Sequence, residues 1–210
     1  MSSADAPKPR RAKRGTPQAR EWSADVERRL ARYAEELASW GSRTNLVGST
    51  EPAAIRRHLD DALAAAEALP RGAHVVDLGS GAGLPGVPVA IARPDLRVTL
   101  VEIRERRVHF LRHVARALPL ECEILRVRIE DPPPDSECAF ALLRAVANVR
   151  ESLKLGRFWT APDGEIWIWT RETLDSLCAD LRRGAGEIPL GERGRILRVP
   201  AANVPRGTPR

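Results

Sequence analysis

One stretch of the chain decides its fold: Val75-Val76-Asp77-Leu78-Gly79-Ser80-Gly81-Ala82-Gly83-Leu84-Pro85-Gly86. It begins within the short apolar run His74–Leu78, which is typical of a buried parallel strand. The glycines that follow allow the backbone to turn sharply and to approach a ligand closely. A helix is expected from about Pro85 to Ala92, and its first N–H groups lack partners within the helix. The stretch therefore predicts a loop that holds a nucleotide-like cofactor.

Strands and helices alternate along the chain on the C-terminal side of this loop. The pattern predicts further strands at Arg97–Glu102, Glu123–Val127, Phe140–Leu143 and Glu165–Trp169, and an edge strand at Arg195–Val199. Helical spacing is found in the segments between them, Glu105–Ala117, Ala147–Leu155 and Arg171–Arg182. Such alternation predicts a Rossmann-like α/β fold, with a mostly parallel sheet and helices on both faces.

The chain divides into four predicted segments. Amphipathic helices are expected over residues 23–40, where Ser23 can cap the start, and over residues 52–69. Both ends of the chain are basic, and the first twenty residues lack apolar periodicity. The predicted division is a disordered basic tail (1–20), a helical N-terminal extension (21–70), the α/β domain (71–200) and a flexible basic tail (201–210).

Charge and cysteine usage narrow the range of partners. The formal net charge is +6, and Lys and Arg crowd the first twenty residues. That tail can contact phosphates without reading sequence, or it can simply keep the protein in solution, and both interpretations stay open. The three cysteines, Cys122, Cys138 and Cys178, form no CxxC pair, which argues against a disulfide framework and favours a cytoplasmic location. No apolar stretch approaches the ~20 residues that cross a bilayer, so no membrane association is expected.

A metal site is not expected. His109 and His113 have the i,i+4 spacing of a metal-binding pair. Four arginines on the same helix would repel a divalent cation there, and these arginines form either an RNA-facing patch or a solvated helix face: Arg106, Arg107, Arg112 and Arg116.

Two cofactors compete for the glycine loop. Gly81-x-Gly83-x-x-Gly86 fits the dinucleotide fingerprint, but Gly86 falls late, after a proline and inside the expected helix. Asp77 ends the strand beside the loop, where a carboxylate would repel a pyrophosphate and attract a cation. S-adenosylmethionine carries an ammonium and a sulfonium, and its ribose hydroxyls suit Glu102 at the end of the next strand. The loop, with Asp77, Gly79, Gly81, Gly83 and Glu102, therefore favours S-adenosylmethionine.

The residues around the loop carry a family resemblance. The glycines are followed by Leu84-Pro85-Gly86-Val87-Pro88 and then Arg93-Pro94, a continuation that far fewer proteins share than the glycines alone. Similar segments lie on both sides: Thr44-Asn45-Leu46, Arg57-His58-Leu59-Asp60-Asp61, Arg128-Ile129-Glu130, Arg144-Ala145-Val146-Ala147 and Gly191-Glu192-Arg193. Over roughly residues 37–200 the chain resembles the RsmG (GidB) family of bacterial small-subunit rRNA methyltransferases, which implies the class I methyltransferase fold.

The resemblance implies roles for particular residues. Gly79 and Leu84 would line the donor pocket, and Ile129 and Glu130 would lie against the adenine. Arg144 would close the site near the donor and the incoming base, as the catalytic residue and as a ligand of both. On the substrate side, Arg193 would bind the RNA, because it lies in the matching segment Gly191-Glu192-Arg193. His58 and Asp61 share a helix face and either cap the site or are an ordinary packed histidine and a surface acid.

The implied reaction is methylation of guanine N7 at nucleotide 527, in the 530 loop of 16S rRNA, on the free RNA or the small ribosomal subunit. N7 carries a lone pair, so no general base is required, and positioning would supply the catalysis. The protein is expected to act as a monomer. Six positions depart from the family pattern: Ala62, Ala139, Leu143, Thr170, Arg171 and Gly194. They motivate two alternatives, a methyltransferase acting on another RNA or a small molecule, and a catalytically impaired ribosome-binding homologue.

Overall fold

A computed structural model describes residues 21–44, 46–133, 135 and 137–206, so the predicted tail 1–20 lies outside the described residues. Among these described residues, seven strands form one sheet in the order β3-β2-β1-β4-β5-β7-β6. Their bounds are β1 His74–Leu78, β2 Arg97–Val101, β3 Cys122–Leu125, β4 Cys138–Arg144, β5 Thr160–Thr170, β6 Gly186–Pro189 and β7 Arg195–Pro200. The first five strands run parallel, and β7 is antiparallel to both β5 and β6. The predicted mostly parallel α/β fold is therefore confirmed.

Within the part of the chain that the structure describes, six α-helices accompany the sheet. They are α1 Ala24–Thr44, α2 Pro52–Ala68, α3 Gly86–Ala92, α4 Glu105–Ala117, α5 Val149–Trp159 and the single turn α6 Ala179–Arg182. The predicted cap at the start of α1 is confirmed, since the Val26 amide donates to Ser23 Oγ at 3.3 Å. Helix α3 begins one residue later than expected, because Pro85 stands just before it as the N-cap. No helix within the described ranges is long and apolar enough to cross a membrane.

Two predictions in the C-terminal third are wrong. The single helix expected over residues 171–182 is replaced by a 3₁₀ turn at Leu174–Ser176 and then the single turn of α6. Neither turn has a buried residue, so no apolar stripe stabilises a longer helix there. The predicted edge strand is internal instead, because the unpredicted strand β6 pairs with β7 and takes the edge position.

Alternating residues of the strands build a core on each face of the sheet. Leu142 of β4 faces the core beneath α1–α4, and its neighbour Leu143 faces the core beneath α5. Ala201 and Val204, which were predicted to lie in a flexible tail, are buried in this second core, and residues 207–210 of that tail lie outside the described residues. The apolar cores hold the parallel strands in register, and so they fix which residues meet at the carboxyl ends of β1, β2 and β4.

The two N-terminal helices pack onto the first face rather than standing apart. The buried guanidinium of Arg93, at the end of α3, donates to the carbonyl oxygens of Ala66 and Leu69 at the end of α2, at 2.7 and 2.8 Å. Tyr33 of α1 is fully buried, and its hydroxyl donates to the carbonyl of Ala82 at 2.6 Å. The extension is thereby tied to the glycine loop itself.

Candidate active site

The glycine loop leaves β1 in a conformation that suits glycine. Gly79, Gly81 and Gly83 have φ angles of +71°, +56° and +87°, in the region that other residues rarely adopt. The amides of Gly79 and Ser80 both donate to the carbonyl of Val101, at the end of β2, at 2.9 Å. The loop is therefore fixed to the neighbouring strand, and its backbone lies at the carboxyl edge of the sheet, where ligands of open α/β sheets bind.

The neighbours of Gly79 are packed too closely around it for a side chain. A Cβ built there would lie 3.1 Å from Val146 and 3.3 Å from Ile129. The predicted adenine residue Ile129 is thus brought to the loop, and its carbonyl is held by the indole N–H of Trp159 at 2.7 Å. Its neighbour Glu130 is half-buried and lies 3.6 Å from the guanidinium of Arg128.

Glu102 lies directly beside the loop, as predicted from its place after β2. Its buried carboxylate accepts the amides of Gly81 at 3.0 Å and Arg104 at 2.8 Å, and Arg107 Nη1 lies 3.5 Å away. A carboxylate has about four acceptor positions, so one remains for a ribose hydroxyl. The geometry fits the predicted ribose contact.

Asp77 is buried beneath the loop and not on its surface. Only 1% of the residue is exposed, and Oδ2 accepts the amide of Gly86 at 3.0 Å. Burial raises the pKa of this carboxyl to about 7, although the Gly86 amide, Ser80 and the charge of Arg144 act in the opposite direction. A nearby cation would favour the ionised form. A cationic ligand would therefore lower the pKa of Asp77 and cause it to lose its proton.

Gly83 and Leu84 complete the loop on its inner side. A Cβ at Gly83 would lie 2.6 Å from Val87 and 3.1 Å from both Leu111 and the Tyr33 hydroxyl, so glycine is required there by packing. Leu84 is half-buried against the first core and precedes Pro85 through a cis peptide bond.

The four predicted substrate-side residues come together at the end of β4. Leu143 pairs with Leu78 in the sheet, so Arg144 stands next to the start of the glycine loop. A guanidinium N–H of Arg144 donates to Nδ1 of His58, and Nε of Arg193 donates to the buried Asp61 carboxylate at 2.7 Å. All four residues line one cavity of about 410 Å³.

Burial and charge set the protonation of this group. The pKa of His58 is lowered by burial and by the adjacent Arg144 charge, so the ring is neutral at pH 7 and Nδ1 is free to accept. Burial also lowers the pKa of Arg144, and the charge of the nearby Asp61 carboxylate opposes that effect. Arg144 Nη1 is buried without a hydrogen-bond partner among the described residues.

Three residues at this edge have roles that the sequence does not predict. Tyr33 occupies an apolar position of α1, and nothing in its spacing signals the bond to Ala82. Arg107, expected only in an RNA-facing patch or on a solvated face, lies over Gly81 and Glu102. Ile103 is the only exposed large hydrophobic side chain among the described residues. Because Ile103 directly follows Glu102, its side chain can cover the face of a base. The sequence signal that could have identified it is an apolar residue directly after the predicted ribose-binding acid.

The two histidines with metal-binding spacing, His109 and His113, lie on α4. The described residues contain no group of three or more His, Cys, Asp or Glu side chains that could hold a metal ion. His113, half of the candidate metal-binding pair, has Nε2 at 2.9 Å from Glu36 of α1.

The fold is that of the class I S-adenosylmethionine-dependent methyltransferases. A solved structure of mitomycin 7-O-methyltransferase MmcR matches 84% of this chain and 67% of its own with a TM-score of 0.51 and 20% identity. The chain belongs to the rRNA small subunit methyltransferase G family, whose model matches residues 26–176. The resemblance seen in the sequence is thereby confirmed.

Relatives with the family's name come from several bacteria. Ribosomal RNA small subunit methyltransferase G of Desulfotalea psychrophila is 41% identical over 65% of this chain and 65% of its own length. The protein of the same name from an Anaeromyxobacter species is 33% identical over 80% of this chain and 85% of its own. The chain thus spans a little less than two thirds of the first relative and most of the second.

Proposed function

We propose that this protein transfers the methyl group of S-adenosylmethionine to N7 of a guanine in 16S rRNA, nucleotide 527 of the 530 loop. The observation that carries the proposal is the juxtaposition of the glycine loop with an arginine-lined cavity at the end of β4. Family membership supports the same conclusion. The site is proposed to work in a monomer in the cytoplasm, where small ribosomal subunits are made.

The residues around the loop fit S-adenosylmethionine. Gly79 lies directly against Ile129 and Val146, which leaves its backbone without a side chain at the carboxyl edge of the sheet. Glu102 would hold the ribose, Ile129 and Ile103 would lie against the adenine, and Asp77 would favour the cationic methionine end. When bound, this donor supplies a methyl group on an activated sulfonium.

The substrate side would act by positioning rather than by proton transfer. N7 of guanine has a lone pair, so its attack requires no base. His58 fits this chemistry, because its ring is neutral and Nδ1 already accepts from Arg144. His58 would therefore hold the Arg144 guanidinium, and Arg144 would orient the base, with its donors directed at acceptors such as O6.

Four of the six departures from the family pattern do not line the cavity, which favours the rRNA substrate over the alternatives. Ala139 is at the opposite end of β4 from Arg144, and Leu143 is buried in the second core. Ala62 is fully buried in α2. Only Thr170 and Arg171 line the cavity, and an exposed arginine there suits RNA.

The decisive experiment is methyl transfer from radiolabelled S-adenosylmethionine to small ribosomal subunits from cells that lack the modification, followed by mapping of the labelled nucleotide. We expect label at N7 of guanine 527. Label at another nucleotide would give the enzyme a different RNA target. Donor binding without any label would leave the fold and the cofactor in place and contradict the substrate.

A further inference from the structure

We propose that Arg57 and Arg171 form a clamp on the sugar–phosphate backbone of the RNA strand that carries the target base into the cavity. The proposal rests on the function proposed above and names the residues that hold the strand. Arg57 comes from α2 and Arg171 follows β5, and both line the cavity that contains Arg144.

Side-chain hydrogen bonds divide the five arginines that line the cavity into two groups. Three of them already have partners: Arg144 donates to His58, Arg193 to Asp61 at 2.7 Å, and Arg195 to Glu187 at 3.0 Å. An incoming phosphate would have to compete with the carboxylates paired with Arg193 and Arg195. The partner of Arg144 is a neutral histidine, but Nη1 of Arg144 is buried, which suits a contact with the base rather than with the backbone on the rim.

Arg57 and Arg171 form the second group. Both are exposed, and neither makes a side-chain hydrogen bond or an ion pair within the described ranges. Neither charge is paired with a carboxylate, so a phosphate bound there displaces only water and counterions. A guanidinium also binds a phosphate through two parallel hydrogen bonds, which a lysine cannot do.

The wall between the two arginines suits a nucleotide. Trp169 and His58 are half-buried and line the same cavity, so they offer aromatic surface to a base whose phosphates lie on the rim. The strand would then enter with its backbone on Arg57 and Arg171 and its base directed toward Arg144.

The opposite side of α2 excludes the RNA. Arg56, the immediate neighbour of Arg57, is paired with Glu27 at 3.0 Å and with Asp60 at 2.8 Å. It belongs to a different groove, of about 440 Å³, whose four carboxylates would repel a phosphate: Glu21, Glu27, Asp60 and Glu67. Helix α2 therefore separates an acidic groove from the basic cavity, and adjacent arginines have opposite expected roles.

This adjacency supplies a matched control. Binding of a 16S rRNA fragment containing the 530 loop would be measured by filter retention across a salt series, for the full chain and for Arg57→Ala, Arg171→Ala, both together, and Arg56→Ala. Each clamp variant should weaken binding about five- to tenfold at low salt and reduce the slope of log K against log salt by about 0.7. Arg56→Ala should leave the slope unchanged.

Lysine variants separate charge from packing. Arg57→Lys and Arg171→Lys retain the charge and should restore most of the salt slope, whereas a role in packing would not depend on salt. Affinity for S-adenosylmethionine, measured by calorimetry, should be equal in all variants. Equal slopes for the Arg56, Arg57 and Arg171 variants, with the wild type binding and methylating RNA, would overturn the clamp alone. A wild type that binds no RNA would overturn the proposed function.

Discussion

Replacing Asp77 by Asn should stabilise the free protein at neutral pH while weakening its affinity for the donor. The carboxylate is buried, and its Oδ2 accepts the Gly86 amide. An asparagine oxygen can accept the same amide without carrying a charge. The substitution therefore removes the cost of a buried charge and also removes the charge that would attract a cationic ligand.

The size of the effect follows from the pKa of Asp77. Burial raises the pKa from 3.8 to about 7, so the native state holds its proton more tightly than the unfolded state. The free energy of unfolding should then fall as pH rises from about 4 to about 7, by at most about 4 kcal/mol, because each tenfold difference in proton affinity between the two states corresponds to about 1.4 kcal/mol. Above pH 7 both states are ionised, and the loss is complete.

Urea unfolding of the free protein at several pH values between 4.5 and 8 would measure this. The difference between wild type and Asp77→Asn isolates Asp77, because other titrating groups such as His58 are common to both proteins. The variant should be the more stable at pH 8, and its advantage should shrink as pH falls. Asp163→Asn, at an exposed position of β5, is the control. Its free energy of unfolding should follow that of the wild type at every pH.

Parallel stability curves for wild type and Asp77→Asn would refute this reasoning, because they would mean that Asp77 keeps the same pKa in both states. The donor provides an independent check. Affinity of the wild type for S-adenosylmethionine should increase as pH rises through 7, since the ionised carboxylate attracts the cation. That dependence should be absent in the variant.

Three further substitutions, one of them with a matched control, test the glycine loop and the residues that hold it and Arg144 in place. Gly79→Ala forces a side chain to φ +71° and into the space before Val146, so it should cost about 1 kcal/mol and weaken donor binding at least about tenfold by calorimetry. Gly72→Ala, at φ +69° with open space around it, should show the strain without the binding loss. Tyr33→Phe leaves the Ala82 carbonyl without its buried donor and should cost about 1–3 kcal/mol in urea unfolding; an unchanged midpoint would contradict that bond. His58→Ala releases Arg144 and should lower kcat about 10- to 100-fold with donor affinity retained, and an unaffected kcat would exclude the positioning role.

The sequence predicts the residues on the donor side of the site better than it predicts the distant contacts that hold the loop and the sheet in place. Glycines and a strand-end acid such as Glu102 act through the backbone and through strand geometry, which local patterns encode. The Tyr33 hydroxyl bonds to a carbonyl 49 residues away, and helical spacing carries no information about such a contact. Strand β6 was missed for a related reason, because Gly186–Pro189 is four residues long, contains Gly and Pro, and is defined by pairing with β7.

The structure also divides the departures from the family pattern into those that backbone geometry explains and those that lie in the cavity. Gly194 has φ +110°, and a Cβ there would collide with the carbonyl of Thr170, so glycine is required by the close approach of β7 to the end of β5. Its presence is a matter of backbone geometry and not of substrate choice. Thr170 and Arg171 lie in the cavity itself, where no packing constraint explains them. We therefore expect any feature of RNA recognition that is peculiar to this chain at Arg171. This residue is exposed, directly follows β5 and supplies part of the charge of the clamp.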